Sequence, residues 1–388
     1  MASAVLRVLP VNVGKGPACF AGCKSNISSF LEDKNMLTKL NKRIKERDSN
    51  IELLRIVCIL FVLIHHFIVH SLYPDPVTLD GDINTYRVVC IFINGFVYVG
   101  VNCFILISGY YGIKFRFRSL VNLYCICVFF TVIATLMKMC VTDVTLNKGL
   151  LYSIFLPFSH SEWWFITCYV ALYLISPALN KSVQYLGRNE FILTIALLTV
   201  LNVYLGYFWH QHNVDGFNLL QFIYVYYIGA FLKKFPLEQL NRKNSLLLYI
   251  TGALLWSLLS VISVRWKIPH WISFCYNNPL VILSSVGLFY FMTQIKIHSY
   301  TINFIAASVL AAYLIQDIPG GMIYVLGDLY NGSYIIPLDN MLLKVLSMLI
   351  FVVFASLLTL CSAIILDRLR LLLMKPVWKI YDHYFPSR

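Results

Sequence analysis

Long apolar runs separated by short polar loops recur along this chain. They lie near residues 51–72, 86–109, 119–140, 162–179, 191–209, 217–235, 245–264, 273–293, 302–325 and 341–366. A helix needs about 20 mostly apolar residues to cross the hydrocarbon layer of a bilayer, and each run comes close to or exceeds that length. The runs are continuously apolar rather than alternating, which excludes a spanning β-barrel. The piece 150–158 is too short to span and is expected to be re-entrant or interfacial. The pattern predicts an all-α membrane protein, a polytopic bundle of about ten transmembrane helices.

Composition agrees with the pattern. Of 388 residues, 59% are hydrophobic and 13% charged, about half the charged fraction of an ordinary soluble domain. Mean hydropathy is +0.73. A soluble enzyme, a disulfide scaffold and a disordered chain are all excluded. Most of the Cys (Cys58, Cys90, Cys103, Cys125, Cys127, Cys140, Cys168 and Cys361) sit inside apolar runs, where they read as small hydrophobes. The net charge of +13 has a membrane explanation. With the N-terminus inside, 24 of the 31 Lys and Arg fall in inner segments and four in outer loops, the asymmetry of the positive-inside rule. Both termini are therefore expected in the cytoplasm, with the chain in the cell membrane. Because the basic residues cluster at the ends of spans, nucleic-acid binding is disfavoured.

The organisation expected is a basic cytoplasmic segment over 1–48, with 1–35 disordered, a membrane domain over 49–370 and a cytoplasmic tail over 371–388. The leading residues lack an apolar core followed by a small-residue cleavage site, so no cleaved signal is expected.

The first span differs from most of the others in carrying ionisable groups at membrane depth, which are costly and usually face a cavity or a partner. It reads Glu52-Leu53-Leu54-Arg55, then ten residues, then His66, with His65 and His70 nearby. Arg55 and His66 lie about 20° from eclipsing after three turns and ~16 Å apart along the axis, so they share a face. Glu52, three residues before Arg55, shares that stripe and can pair with the guanidinium, while His65 points ~100° away from His66. Alone, Arg55 would read as snorkelling and His66 as a hydrogen-bonded structural histidine. Three such groups on one face point to chemistry instead. A guanidinium can hold a phosphorylated carrier, and an imidazole deeper along the helix can act as general base on a hydroxyl. Coenzyme A, with phosphates at one end and a thioester at the end of an extended arm, has the shape to bridge the two.

The Arg55-x10-His66 pair resembles the hallmark of acyltransferase family 3, integral membrane proteins that include bacterial O-acetyltransferases of surface glycans. Other segments agree in order and spacing. Gly100-Val101 through Ser108-Gly109-Tyr110 is similar to the end of the family's second span. Trp163-Trp164-Phe165, followed by Ser176-Pro177, resembles its Trp-Phe segment. Ala306-Ala307-Ser308 through Tyr313-Leu314-Ile315-Gln316-Asp317 resembles its ninth-span motif. The resemblance covers about residues 46–370 and implies ten spans and an O-acyltransferase. Acetyl-CoA is then the donor substrate with no tightly bound cofactor, and a glycan or lipid-linked glycan is the acceptor.

On this resemblance His66 is the general base or a transient acyl carrier. Arg55 orients the donor phosphates or the catalytic helix, with Glu52 as its partner. Two positions depart from the family pattern. Gln316 stands where relatives often have His, and can hydrogen-bond but not carry a proton charge. Lys114, Arg116 and Arg118 replace an Arg-x-x-Arg pair and are assigned phosphate attraction. Ser108 precedes Gly109, where a helix end with a turn is expected. Trp164 is a candidate cavity wall, although aromatics at a span's start are ordinarily interfacial. Asp317, followed by Pro319-Gly320-Gly321, sits where a broken helix can expose polar backbone. No metal-binding, phosphate-loop or dinucleotide motif is present. The alternative to an enzyme is a transporter or flippase of a polysaccharide precursor, with the stripe as part of a polar pathway.

Overall fold

The structure is a computed structural model, which describes residues 48–72, 83–141, 147–159, 163–268, 275–316, 321–332 and 340–384. The described residues form helices and loops, with no strand among them. The helices are α1 (Ser49–His66), α2 (Thr85–Val97), α3 (Gly100–Tyr111), α4 (Phe117–Val141), α5 (Lys148–Phe155), α6 (Trp164–Tyr185), α7 (Arg188–Thr199) and α8 (Leu219–Lys234). They continue with α9 (Arg242–Arg265), α10 (Pro279–Thr293), α11 (Tyr300–Ala306), α12 (Val309–Gln316), α13 (Met322–Gly332), α14 (Met341–Leu373) and α15 (Lys375–Tyr384). The ends of α1 and α7 widen into π-helical turns over Phe67–Ser71 and Val200–Phe208.

Among the described residues, six helical stretches are long and apolar enough to cross a membrane: Ser49–Ser71, Thr85–Tyr111, Phe117–Met137, Arg188–Phe208, Arg242–Arg265 and Met341–Leu373. Pro279–Thr293 and Tyr300–Gln316 are apolar but shorter. The run 302–325 is not one continuous helix, because it is interrupted at Ala307–Ser308. The last span is longer than its apolar run, since α14 continues through Asp367 and Arg370 to Leu373 and α15 follows at once. The piece expected at 150–158 is the eight-residue α5, which buries none of its residues. The disorder expected of residues 1–35 falls outside the described residues.

The first span sits at the centre of the bundle. Helices α2, α3, α10, α11, α12 and α14 all pack against α1, which is why it can carry charged groups away from lipid. It is held at both ends. At its start the Ser299 amide donates to Ser49 Oγ at 2.9 Å, and the Asn50 side chain donates to the Met292 carbonyl at 2.9 Å. Past its far end Ser71 Oγ donates to the Ile323 carbonyl at 2.8 Å.

Glycine permits a close helix crossing. A Cβ on Gly109 would lie 2.0 Å from the Tyr226 carbonyl oxygen, and one on Gly229 would lie 2.4 Å from that of Leu106, so α3 and α8 touch backbone to backbone as small residues permit. Gly109 was expected to allow a turn after Ser108; instead it lies inside α3. Gly112, at φ +69°, makes the turn. Gly109→Ala is expected to cost the upper part of the ~1–3 kcal/mol usual for overpacking. Thermal unfolding in detergent should show a lowered Tm, against little change for Gly149→Ala on exposed α5.

Candidate active site

The stripe on α1 begins with an ion pair. Glu52 and Arg55 are both 5% exposed, and an Arg55 Nη1–H donates to Glu52 Oε1 at 2.6 Å. The i,i+3 spacing brings the pair together without bending the helix. A buried pair of this kind survives only when each charge has its partner.

Three turns further on, His66 is half-buried. Its ring lies 5.4 Å from that of His65 and 5.3 Å from that of His70. Among the described residues His66 Nδ1 has no hydrogen-bond partner. His65 is placed differently: its Nδ1 is 2.6 Å from Asn94 Oδ1, and its ring meets the edge of Tyr98 at 5.1 Å. Thus the ~100° between the two histidines separates an imidazole fixed to α2 from one with a nitrogen left over.

Tyr98 occupies the break between α2 and α3, and an aromatic wall extends from it. Tyr276 stacks on Tyr98 at 4.6 Å, and Trp164, itself half-buried, lies 5.6 Å from Tyr276 and 4.5 Å from Phe217. Buried amides hold this wall. The Tyr276 carbonyl accepts from Asn102 at 3.0 Å and Gln221 at 2.9 Å, while its amide donates to the Asp215 carbonyl at 2.8 Å. Trp164 is therefore linked to the histidines through two tyrosine rings.

Gln316 stands on α12, which packs against α1. Gln316 is fully buried, and neither amide atom has a hydrogen-bond partner among the described residues. Buried polar atoms of this kind ordinarily find a partner, in protein, water or ligand. One turn earlier, Tyr313 packs at 5.6 Å on Phe165, the neighbour of Trp164.

The other sequence candidates do not join this group. Ser108 is buried, and its hydroxyl donates to the Phe104 carbonyl of its own helix at 2.9 Å. Lys114 and Arg116 are exposed on the α3–α4 connection, where the Arg116 amide donates to Tyr173 Oη at 2.7 Å. Arg118 pairs with Asp382 of α15, with Nη2 to Oδ2 at 3.1 Å, and its guanidinium lies 5.1 Å from the Trp378 ring centroid. Asp317 lies outside the described residues.

Sequence reasoning missed a second buried ion pair. Asp367 and Arg370 on α14 are 5% and 3% exposed and bond at 2.8 Å, and Ser308, in the interruption between α11 and α12, donates to Asp367 at 2.9 Å. By sequence Arg370 is one of the basic residues at the inner end of the last span; its i,i+3 neighbour Asp367 is the signal that the two pair.

A family model described as an acyltransferase domain matches residues 48–368, from the start of α1 to within a few residues of the end of α14. The chain belongs to acyltransferase family 3. As an acyltransferase family 3 protein with several membrane-length apolar helices, it is a membrane acyltransferase. The family match takes in the Glu52–Arg55 pair, His66 and Gln316, and it ends before α15. No curated protein and no solved structure matches this acyltransferase family 3 chain.

Proposed function

We propose that the protein transfers an acetyl group from acetyl-CoA to a hydroxyl of a cell-surface glycan or its lipid-linked precursor. It works as a ten-span enzyme of the cell membrane with both termini in the cytoplasm. The observation that carries this reading is an imidazole with a nitrogen that bonds to no described residue, three turns along a central helix from a buried guanidinium on the same face. The positive-inside asymmetry puts the start of α1, and so the donor's entrance, at the cytoplasmic side.

His66 accepts the proton of the acceptor hydroxyl as its oxygen attacks the thioester carbonyl. The carbon–sulfur bond breaks as the ester forms, and the departing CoA sulfur takes the proton from the imidazolium. Arg55, held by Glu52, orients the donor. The aromatic wall at Trp164 offers rings against which a sugar face can rest.

Purified protein supplied with acetyl-CoA and surface-glycan acceptor is expected to release free CoA thiol in proportion to O-acetyl groups detected on the glycan by mass spectrometry. A transporter of the same glycan would release no thiol.

A further inference from the structure

A cavity of about 280 Å³ opens where α1 begins. Its lining includes Asp48, Tyr110, Tyr111, Lys233, Lys296 and His298, drawn from four parts of the chain: the entry to α1, the end of α3, the end of α8 and the segment between α10 and α11. Lys233 Nζ lies 4.6 Å from the Tyr110 ring centroid and 6.0 Å from that of Tyr111, so its stem is placed by aromatic contact. Lys296 is exposed at the same cavity. The acid in this lining, Asp48, already accepts a hydrogen bond from Tyr111 Oη at 3.0 Å. The cavity therefore presents two ammonium groups next to the base of the helix that carries Arg55 and His66.

The basic residues of the α3–α4 connection offer less. Arg118 is already engaged by Asp382 and stacked against Trp378 and Tyr381. Lys114 and Arg116 are exposed and do not line this cavity.

We infer that this cavity, rather than the 114–118 segment, holds the phosphorylated nucleotide head of the acyl-CoA donor, with Lys233 and Lys296 against its phosphates. The inference rests on the acyltransferase reading above. Lysine serves phosphate as a compact point charge and needs no fixed fork geometry. From Asn50 to His66 the helix rises ~24 Å, and the donor's extended arm runs along it past Arg55, with the thioester at the histidine end.

The test uses the full-length protein in detergent or lipid nanodiscs, with acetyl-CoA and its 3′-dephospho analogue as donors. Lys233→Ala and Lys296→Ala are each expected to raise KM for acetyl-CoA about threefold to tenfold. Their kcat should stay within about twofold, the mark of lost uniform binding. The effect should shrink as salt rises, and the double variant should lose most of its preference for acetyl-CoA over the dephospho analogue. Lys148→Ala on exposed α5 should change nothing. An unchanged KM in the double variant, or a larger rise from Lys114→Ala or Arg116→Ala, would overturn the inference while leaving the acyltransferase reading intact. Unaltered protein that neither binds CoA nor releases thiol would overturn both.

Discussion

His66→Ala is expected to lower kcat for acetyl transfer by about 10²–10⁴-fold, the usual contribution of a positioned general base, with the protein still inserted and folded. The expectation follows from where the ring sits. His66 is half-buried at the end of the central helix, and its Nδ1 bonds to no described residue, so replacing it breaks no hydrogen bond to a described residue at that nitrogen. His66→Gln should be nearly as inactive as the alanine variant, because an amide can hydrogen-bond but cannot accept the proton. His65→Ala should differ: it breaks the 2.6 Å contact with Asn94 and the edge contact with Tyr98, so it should lower Tm more and kcat less. Thiol release, measured at equal amounts of folded protein, separates the three. A well-folded His66→Ala enzyme with full kcat would remove His66 from the chemistry.

The second large effect is on stability. Arg55→Leu leaves the Glu52 carboxylate buried without its guanidinium, and breaking a buried pair by removing one partner typically costs about 3–5 kcal/mol. The variant should unfold at markedly lower temperature in detergent. Glu52→Leu combined with Arg55→Leu should recover much of that loss, because two apolar side chains of suitable volume satisfy the same space without desolvating a charge. The pair is in direct contact, so the two changes should be strongly non-additive. Activity should not return with stability, since the double variant has no guanidinium to orient the donor. Folding restored while transfer stays absent would assign Arg55 a role beyond packing; recovery of both would reduce the pair to a structural strut.

Parts of this molecule were legible in the sequence for definite physical reasons. The α-helical rotation alone put Glu52, Arg55 and His66 on one face, and the structure keeps that face within a single unbroken helix. Continuous apolar runs gave helices throughout, although α6, with Pro177, Asn180 and Lys181, and the short α8 and α10 do not reach membrane length and hydropathy by themselves. What stayed hidden depends on contacts remote in sequence. Arg118 and Asp382 are 264 residues apart, and no local pattern links them. Asn94 and His65 meet only because α2 crosses α1. Asp367 and Arg370 lay at the edge of an apolar run, where a basic residue reads as an ordinary inner-loop charge. Gly109 shows a different ambiguity: a glycine needed for close approach and one needed for a left-handed turn look identical in sequence, and here the turn fell to Gly112 three residues on.

The fastening of α1 carries one more consequence. The helix is tied to Ser299 at its foot and, beyond its head, to Ile323, with neighbours packed along its length. A rod secured at two heights cannot telescope. The interval between the nucleotide berth and the reactive imidazole is then a fixed gauge. A thioester trimmed to a short stub could occupy either place but never both together, and the scaffold would sort its donors by tail length before any bond was made or broken.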